Sequence, residues 1–162
     1  MTIATADPTK PDPIRRASDG RVTRLYTPDI LALAVELADY PRLPAPDASA
    51  QARSRTCGGT LTLDLALDGA GRINVLGLNV SACAIGQAAA TVFAREAKGR
   101  AAEEVLAALG EIETWLAGEG PQPRWPGIAI LQPAAAYPAR HGAITLPWKA
   151  GVEALCKQPQ PR

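Results

Sequence analysis

Alternating leucines give the clearest structural pattern in this chain. Leucine occupies every second position from Leu61 to Leu67, which predicts a strand over 60–67 with one buried face. The turn sequence Asp68-Gly69-Ala70-Gly71 follows, so a hairpin leads into a second strand over 72–81. The apolar phase of this second strand shifts by one position near Leu76-Gly77, which predicts a β-bulge there.

Helical patterns surround this hairpin. Thr27 and Pro28 are typical of the cap and first turn of a helix, and Pro41 ends it. Residues 41–52 are expected to form a loop, with a third strand between Arg53 and Cys57. Later helical segments are predicted over 84–98, 101–109, 111–117, 128–132 (one turn) and 138–155. Pro147 falls inside the last of these and is expected to kink it. Early strands and late helices predict an α+β fold, with helices on one face of a small antiparallel sheet.

Composition limits the classes of function. The chain has 162 residues, 47% apolar and 20% charged, with a net charge of +1. We therefore expect one folded domain over 25–155, between a disordered N-terminal tail, 1–24, and a C-terminal tail, 156–162. Basic residues form no stripe, and no long apolar run occurs, so neither a nucleic-acid partner nor a membrane is expected. The N-terminus has no signal-peptide pattern, which predicts a cytoplasmic protein with reduced thiols.

Two cysteines are the strongest candidates for chemistry. Cys57 precedes two glycines at a strand start, and Cys83 precedes a predicted helix whose N-terminal dipole favours a thiolate. Each is either an accessible ligand for a soft metal or a small packed residue. His141, the single histidine, is a third candidate ligand or an ordinary structural residue. Cys156 is interpreted as a tail thiol without a role.

The order of these motifs resembles one family. Cys57-Gly58, then Ser81-Ala82-Cys83-Ala84-Ile85, then Tyr137-Pro138-Ala139-Arg140 with Thr145-Leu146-Pro147-Trp148-Lys149-Ala150 are similar to the IscU/SufU/NifU iron–sulfur cluster assembly scaffolds, the SufU branch above all. The likeness covers about residues 24–155. It implies an α+β fold with a three-stranded, mainly antiparallel sheet. It also implies a non-enzymatic scaffold, monomeric or weakly oligomeric, that works with a cysteine desulfurase.

The ligand set departs from the family pattern. The resemblance implies three cysteines and an aspartate, but the aspartate position is Gly59 and the third cysteine falls at Ala143, or at Gly142 if the register slips. Cys57 and Cys83 remain as metal ligands, with His141 as a substitute third. Arg140 either steers an anionic cluster or partner, or forms a surface salt bridge. The expected cargo is iron or a transient [2Fe–2S] cluster, with zinc as the alternative.

Three functions fit these residues. The first is a scaffold that holds iron, zinc or a transient cluster. The second is a zinc-dependent sulfur carrier that accepts persulfide sulfur on Cys57 or Cys83. The third is a metal-free paralogue that acts through protein contacts, in which the two cysteines form a reversible disulfide if they are close.

Overall fold

A computed structural model of the chain describes residues 25–157. The predicted tail 1–24 and the end of the chain, 158–162, lie outside the described residues. The strands are β1 (Ala48–Arg53), β2 (Thr60–Leu67) and β3 (Ile73–Ser81). The helices are α1 (Pro28–Glu36), α2 (Ala84–Ala97), α3 (Ala102–Leu116), α4 (Gln132–Ala135) and α5 (Pro138–Cys156). Single 3-10 turns occupy Leu37–Asp39 and Ile128–Leu131.

The start of α1 confirms the sequence prediction. The Thr27 hydroxyl oxygen accepts a hydrogen bond from the backbone N–H of Ile30 at 3.3 Å, and Pro28 occupies the first turn. This cap satisfies a backbone donor that the helix itself leaves free, and proline needs no such partner.

The sheet has the order β1-β2-β3, and both pairs are antiparallel. Two predictions about β1 were wrong: residues 48–52 are strand, not loop, and the strand ends at Arg53 instead of following it. Ala48, Ala50 and Ala52 are buried while the residues between them are exposed. Because alanine is only weakly apolar, this alternation was too faint to identify a strand.

The β2–β3 hairpin was predicted correctly except for its bulge. Asp68 accepts hydrogen bonds from the N–H groups of Ala70 and Arg72, both at 2.9 Å, which fixes the turn. The register shift lies between Ala66 and Leu67, opposite the first residues of β3, and not at Leu76-Gly77. The bulge belongs next to the turn, where the extra residue is easily accommodated.

Two predictions about the helices after the sheet were wrong. Residues 102–116 form one helix, α3, and not two, because Gly110 lies on its exposed face and continues the helix at a modest cost in free energy. Cys156 is the last residue of α5, not part of a tail. The predicted break at Gly99 is confirmed, with φ at +82°.

One face of the sheet carries the helices, which confirms the α+β prediction. Helix α5 contacts β1, β2, α2 and α3, and it therefore forms the centre of the core. Three rings pack together there: Phe93 stacks on Trp125 at 5.5 Å, and Trp148 meets both edge-on. Ile128 and Leu131 are buried in this core. Within 25–157, no helix is long and apolar enough to cross a bilayer.

Candidate thiol site

The two predicted cysteines lie at the same end of the sheet. Cys57 belongs to the loop between β1 and β2, and Cys83 follows β3 directly. Thr60 pairs with Arg53 on one side and with Ser81 on the other, so the Cys57 loop and the Cys83 segment leave the sheet at the same end of the strands. The thiols of Cys57 and Cys83 are free. The topology therefore brings together two soft ligands that are distant in sequence.

Ser54 organises the Cys57 loop. Its hydroxyl is buried, lies 3.2 Å from the Cys57 sulfur and accepts the Cys57 backbone N–H at 3.4 Å. The loop closes through backbone bonds from Gly58 to Ser54 and from Ser54 to Gly59, at 2.9 and 2.8 Å. Gly58 has φ at +72°, a conformation that favours glycine. The result is an exposed thiol on a well-held turn. Sequence reasoning missed Ser54, although a serine three residues before a turn cysteine is a local capping signal.

The surroundings of Cys57 favour its thiolate. Partial burial raises the pKa of Cys57, but the Ser54 hydroxyl, the Gly59 backbone and the charge of Arg140 together lower it by more. The pKa of Cys57 therefore lies below that of an ordinary thiol. Because the thiolate is both the nucleophile and the metal ligand, these contacts prepare Cys57 for either use.

Cys83 sits at the N-terminal end of α2. It has the extended backbone of a cap residue, with ψ at 167°, but its side chain makes no capping hydrogen bond. The residue is half-buried. The Cys83 sulfur therefore makes no hydrogen bond to the N–H groups of the first turn.

Small residues fill the space around the two thiols. A side chain at Gly59 would start 3.5 Å from the Cys57 sulfur and 3.1 Å from the Ala82 methyl. A side chain at Gly86 would start 2.8 Å from Ala82 and 3.5 Å from Ala143. Gly59 and Ala143, the two positions where the resemblance implies ligands, thus border the same small region but carry no ligand atom.

Position 142 is more crowded than an open surface position. A Cβ atom at Gly142 would lie 2.7 Å from the Thr56 hydroxyl and closer still to that of Ser54. Position 142 therefore has no room for a side chain while the Cys57 loop keeps its present form.

His141 is not placed with the cysteines. Its Nε2 donates a hydrogen bond to the carbonyl of Ala135 at 2.7 Å. The ring lines a surface cavity of about 340 Å³ between α3 and α5, with Glu113, Thr145 and Lys149. Among residues 25–157, no group of three or more His, Cys, Asp or Glu side chains is arranged to hold a metal ion. The third-ligand role of His141 therefore stays a prediction without geometric support.

Arg140 lies close enough to lower the pKa of Cys57 through its charge. In the part of the chain that the structure describes, it forms no ion pair with a carboxylate, so the salt-bridge interpretation has no partner there. Cys156 is at the opposite end of α5, eighteen residues from Pro138 along the helix.

The number and type of ligand atoms at this end of the sheet limit which metal or cluster one chain can hold. Two thiols suit zinc, iron or an iron–sulfur cluster, but such sites use four ligands. One copy of the chain offers Cys57 and Cys83 at this end of the sheet. Among the described residues, no third acidic or imidazole donor lies beside them. A complete protein-only ligand set in a single chain therefore does not fit.

The structure is similar to the solved structures of a NifU-like protein and a SufU protein. It matches the N-terminal part of a nitrogen-fixing NifU-like protein from Brucella abortus, with a TM-score of 0.75 and 31% identity over 84% of this chain and 95% of that one. A protein described as an iron–sulfur cluster assembly scaffold for the SUF system of Fervidobacterium islandicum AW-1 shares the fold, with a TM-score of 0.73 and 23% identity over 81% of this chain and 96% of that one. No protein-family model and no curated protein sequence matches the chain.

Proposed function

Since the chain belongs to the IscU/SufU/NifU family of iron–sulfur cluster assembly scaffolds, we propose that it holds iron, zinc or a transient [2Fe–2S] cluster through Cys57 and Cys83. The metal or cluster is the cargo that the scaffold receives and passes on. The protein acts by binding and release, not as an enzyme. A cysteine desulfurase is the proposed source of its sulfur.

One observation carries this proposal. The chain keeps two free thiols at one end of the sheet, and one of them is exposed on a turn held by Ser54. A packing role needs neither exposure nor an organised loop, since structural cysteines are commonly buried. Exposed thiolates in a cationic setting are typical of metal binding and sulfur chemistry.

The first experiment measures metal and acid-labile sulfide in protein purified without oxygen. We expect iron or zinc in the wild-type chain, and its loss in both Cys57→Ala and Cys83→Ala. Cys156→Ala is the matched control, because it removes the thiol at the far end of α5 and should keep the metal. Sulfide in proportion to iron identifies a cluster, and iron or zinc without sulfide identifies a bare metal. No metal after reconstitution of a folded protein would support the metal-free paralogue instead.

The environment of Cys57 supports a second candidate, a sulfur carrier. Its thiolate would attack the outer sulfur of a persulfide on the desulfurase, forming a new S–S bond while the donor's cysteine leaves as a thiolate. No oxidant is needed, because the outer sulfur keeps its oxidation state when it passes from one cysteine to the other. Incubation with a desulfurase and cysteine, followed by mass spectrometry, should then show one added sulfur on the Cys57 peptide. Cys57→Ala should abolish it and Cys156→Ala should not.

A further inference from the structure

Helix α5 contains two glycines at positions where a Cβ atom would collide with a neighbour. Glycine is unfavourable inside a helix, so each position needs a reason in the packing. A Cβ atom at Gly151 would lie 3.0 Å from the Phe93 ring and 3.1 Å from a Val105 methyl, both in the core. A Cβ atom at Gly142 would instead meet two hydroxyl groups of the loop that carries Cys57. Gly151 therefore serves core packing, and Gly142 serves the contact between α5 and the thiol loop.

The two hydroxyls that meet Gly142 also contact the Cys57 sulfur, one directly and one through the other. The Ser54 oxygen lies 3.1 Å from the Thr56 hydroxyl and 3.2 Å from the Cys57 sulfur. Ser54 is only 3% exposed, so its hydroxyl has little space into which it could move. The position of a Gly142 Cβ atom is closer to this hydroxyl than to any other group. A side chain at Gly142 would therefore displace the group that contacts the sulfur.

The next residue of α5 lies against the helix that carries the second thiol. Ala143 is fully buried, and a Cβ atom at Gly86 would lie 3.5 Å from its methyl. Gly86 is the third residue of α2, which begins directly after Cys83. One residue of the pair 142–143 thus contacts the Cys57 loop, and the other contacts the start of α2. The start of α5 is a spacer between the two segments that carry the thiols.

The thiol loop, and not α5, would move to admit a larger residue at position 142. Helix α5 packs against β1, β2, α2 and α3, and its residues Ile144 and Trp148 are fully buried. Residues 55–58 of the loop are exposed. Displacing an exposed loop costs less free energy than displacing a helix in the core. A larger residue at position 142 should therefore shift Cys57 and leave the core in place.

We propose that Gly142 is a positioning residue of the thiol site: by leaving room for the Ser54 hydroxyl, it holds the Cys57 sulfur where it acts together with the second thiol. This inference rests on the proposed function, in which two sulfurs hold one cargo, and it adds a residue outside the ligand set on which binding depends. The separation of two thiolates decides whether one metal ion can bind both, because each metal–sulfur distance is fixed within narrow limits.

The test uses dibromobimane, a short bifunctional thiol reagent, on the metal-free full chain carrying Cys156→Ala. At each end of the reagent, attack by a thiolate breaks a carbon–bromine bond and forms a carbon–sulfur bond. Bromide leaves, the thiol proton passes to the buffer, and no oxidant is consumed. A molecule attached to both Cys57 and Cys83 is a bridge, and peptide mass spectrometry separates bridged from singly attached products. We expect a bridge in the chain with Gly142 intact.

Two glycine variants distinguish positioning from general packing. Gly142→Ala should lower the ratio of bridged to singly attached product roughly threefold to tenfold, because closure of a bridge depends steeply on the placement of the reacting atoms. Gly151→Ala is the matched control, since it crowds the core from the same helix. It should lower the midpoint of thermal unfolding and leave the ratio unchanged.

A double variant tests whether Gly142 acts through the Ser54 hydroxyl. Ser54→Ala should lower the ratio by itself, and Gly142→Ala should add little to it, because both changes remove the same contact. Thr56→Val removes the hydroxyl partner of Ser54 without adding volume next to the helix. It should lower the ratio in the same direction, and it replaces Gly142→Ala if that variant does not fold.

Several results would overturn the inference. They are an unchanged ratio in folded Gly142→Ala, an equal loss in Gly151→Ala, additive effects of Gly142→Ala and Ser54→Ala, or no bridge in the chain with Gly142 intact. Zinc and iron binding, measured with a competing chromophoric chelator, separates this inference from the proposed function. Metal binding with a bridge that is insensitive to Gly142 would remove the positioning role alone. A bridge that depends on Gly142 in a chain that binds neither metal would keep the positioning role and remove the scaffold function.

Discussion

Asp64 of β2 lies directly opposite Gly77 of β3, and the same loop covers both residues. The Asp64 carboxylate is buried and accepts hydrogen bonds from the Leu43 N–H at 3.1 Å, from the Ser49 hydroxyl at 2.8 Å and from the Arg42 guanidinium. Gly77 provides the space in which the backbone of residues 41–43 approaches the sheet. The pair therefore anchors the segment that joins α1 to β1.

Gly77→Ala should destabilise the fold. A Cβ atom there would lie 2.8 Å from the Leu43 nitrogen and nearer to the Pro41 carbonyl, so backbone must move. We expect a loss of about 1–3 kcal/mol in the free energy of unfolding, measured by urea denaturation. Gly110→Ala is the control: nothing lies within 4 Å of its Cβ position on the exposed face of α3, so it should gain about 0.5–1 kcal/mol. Equal effects of the two substitutions would contradict this account.

Asp64→Asn should weaken the protein in a pH-dependent way. Burial raises the pKa of Asp64, but the bonds from Arg42, Ser49 and Leu43 lower it by more, so the folded pKa is depressed. The depressed pKa stabilises the fold at every pH above the pKa of the unfolded chain, which is about 3.9. This stability is lost as the pH falls through the pKa of the folded protein. The variant should lose about 1–3 kcal/mol at neutral pH and approach the wild type in acid. Urea midpoints at both pH values test this, and a constant difference would refute it.

Sequence patterns predicted the elements with strong periodicity and missed those whose signal is weak. The leucine alternation of β2 and the Thr27-Pro28 start of α1 are strong local signals, and both matched. β1 was missed because its buried positions are alanines, and its strand state comes from pairing with β2. Gly110 was treated as a break, although packing of α3 against α5 holds the helix continuous.

The candidate site was predictable only in part. Cys57 and Cys83 stood out as residue types next to turns. Their placement at the same end of the sheet depends on strand pairing, which single segments do not encode. His141 was a reasonable candidate by sequence distance, but its ring is bonded to Ala135 and lines the cavity between α3 and α5.

Alkylation should show the influence of Ser54 on Cys57. Because the pKa of Cys57 is lowered, its thiolate forms at a lower pH than that of an ordinary thiol. Ser54→Ala removes a hydrogen bond to the sulfur, so the pH midpoint of Cys57 alkylation by iodoacetamide should rise. Peptide mass spectrometry reads each site separately, and Cys156 serves as the internal reference. An unchanged midpoint would show that Ser54 does not act on the sulfur.

Restoring both missing ligands should complete the ligand set within one chain. Ala143 is buried beside Gly86, and Gly59 borders the Cys57 sulfur, so Gly59→Asp with Ala143→Cys places two more donors in the same small region. The double variant should hold about two irons per chain, measured by iron analysis. Gly142→Cys is the control and should bind no better than wild type, because Thr56 and Ser54 leave no room there. Better loading by Gly142→Cys would place the missing ligand at the other register.

Two tryptophans of the core should respond differently to the same change. The Trp125 ring N–H donates to the Val92 carbonyl at 3.1 Å, while the buried Trp148 N–H has no hydrogen-bond partner in the described chain. Trp148→Phe therefore removes an unsatisfied donor, which recovers about 1–3 kcal/mol of desolvation cost against the lost packing. Trp125→Phe recovers nothing comparable and should be the more destabilising variant in thermal unfolding. The reverse order would indicate that packing alone decides.

The backbone bonds on the outer side of β3 limit how this protein can aggregate. Ile73 exchanges hydrogen bonds with Gly99 and Arg100, and the Leu78 N–H is bonded to Tyr40. That edge is therefore closed to strand addition, which is the usual route by which exposed sheets associate. The opposite edge is the six-residue β1, which ends in Arg53. A short strand with a charged end is a poor template for further strands, so this second edge also disfavours association through strand addition.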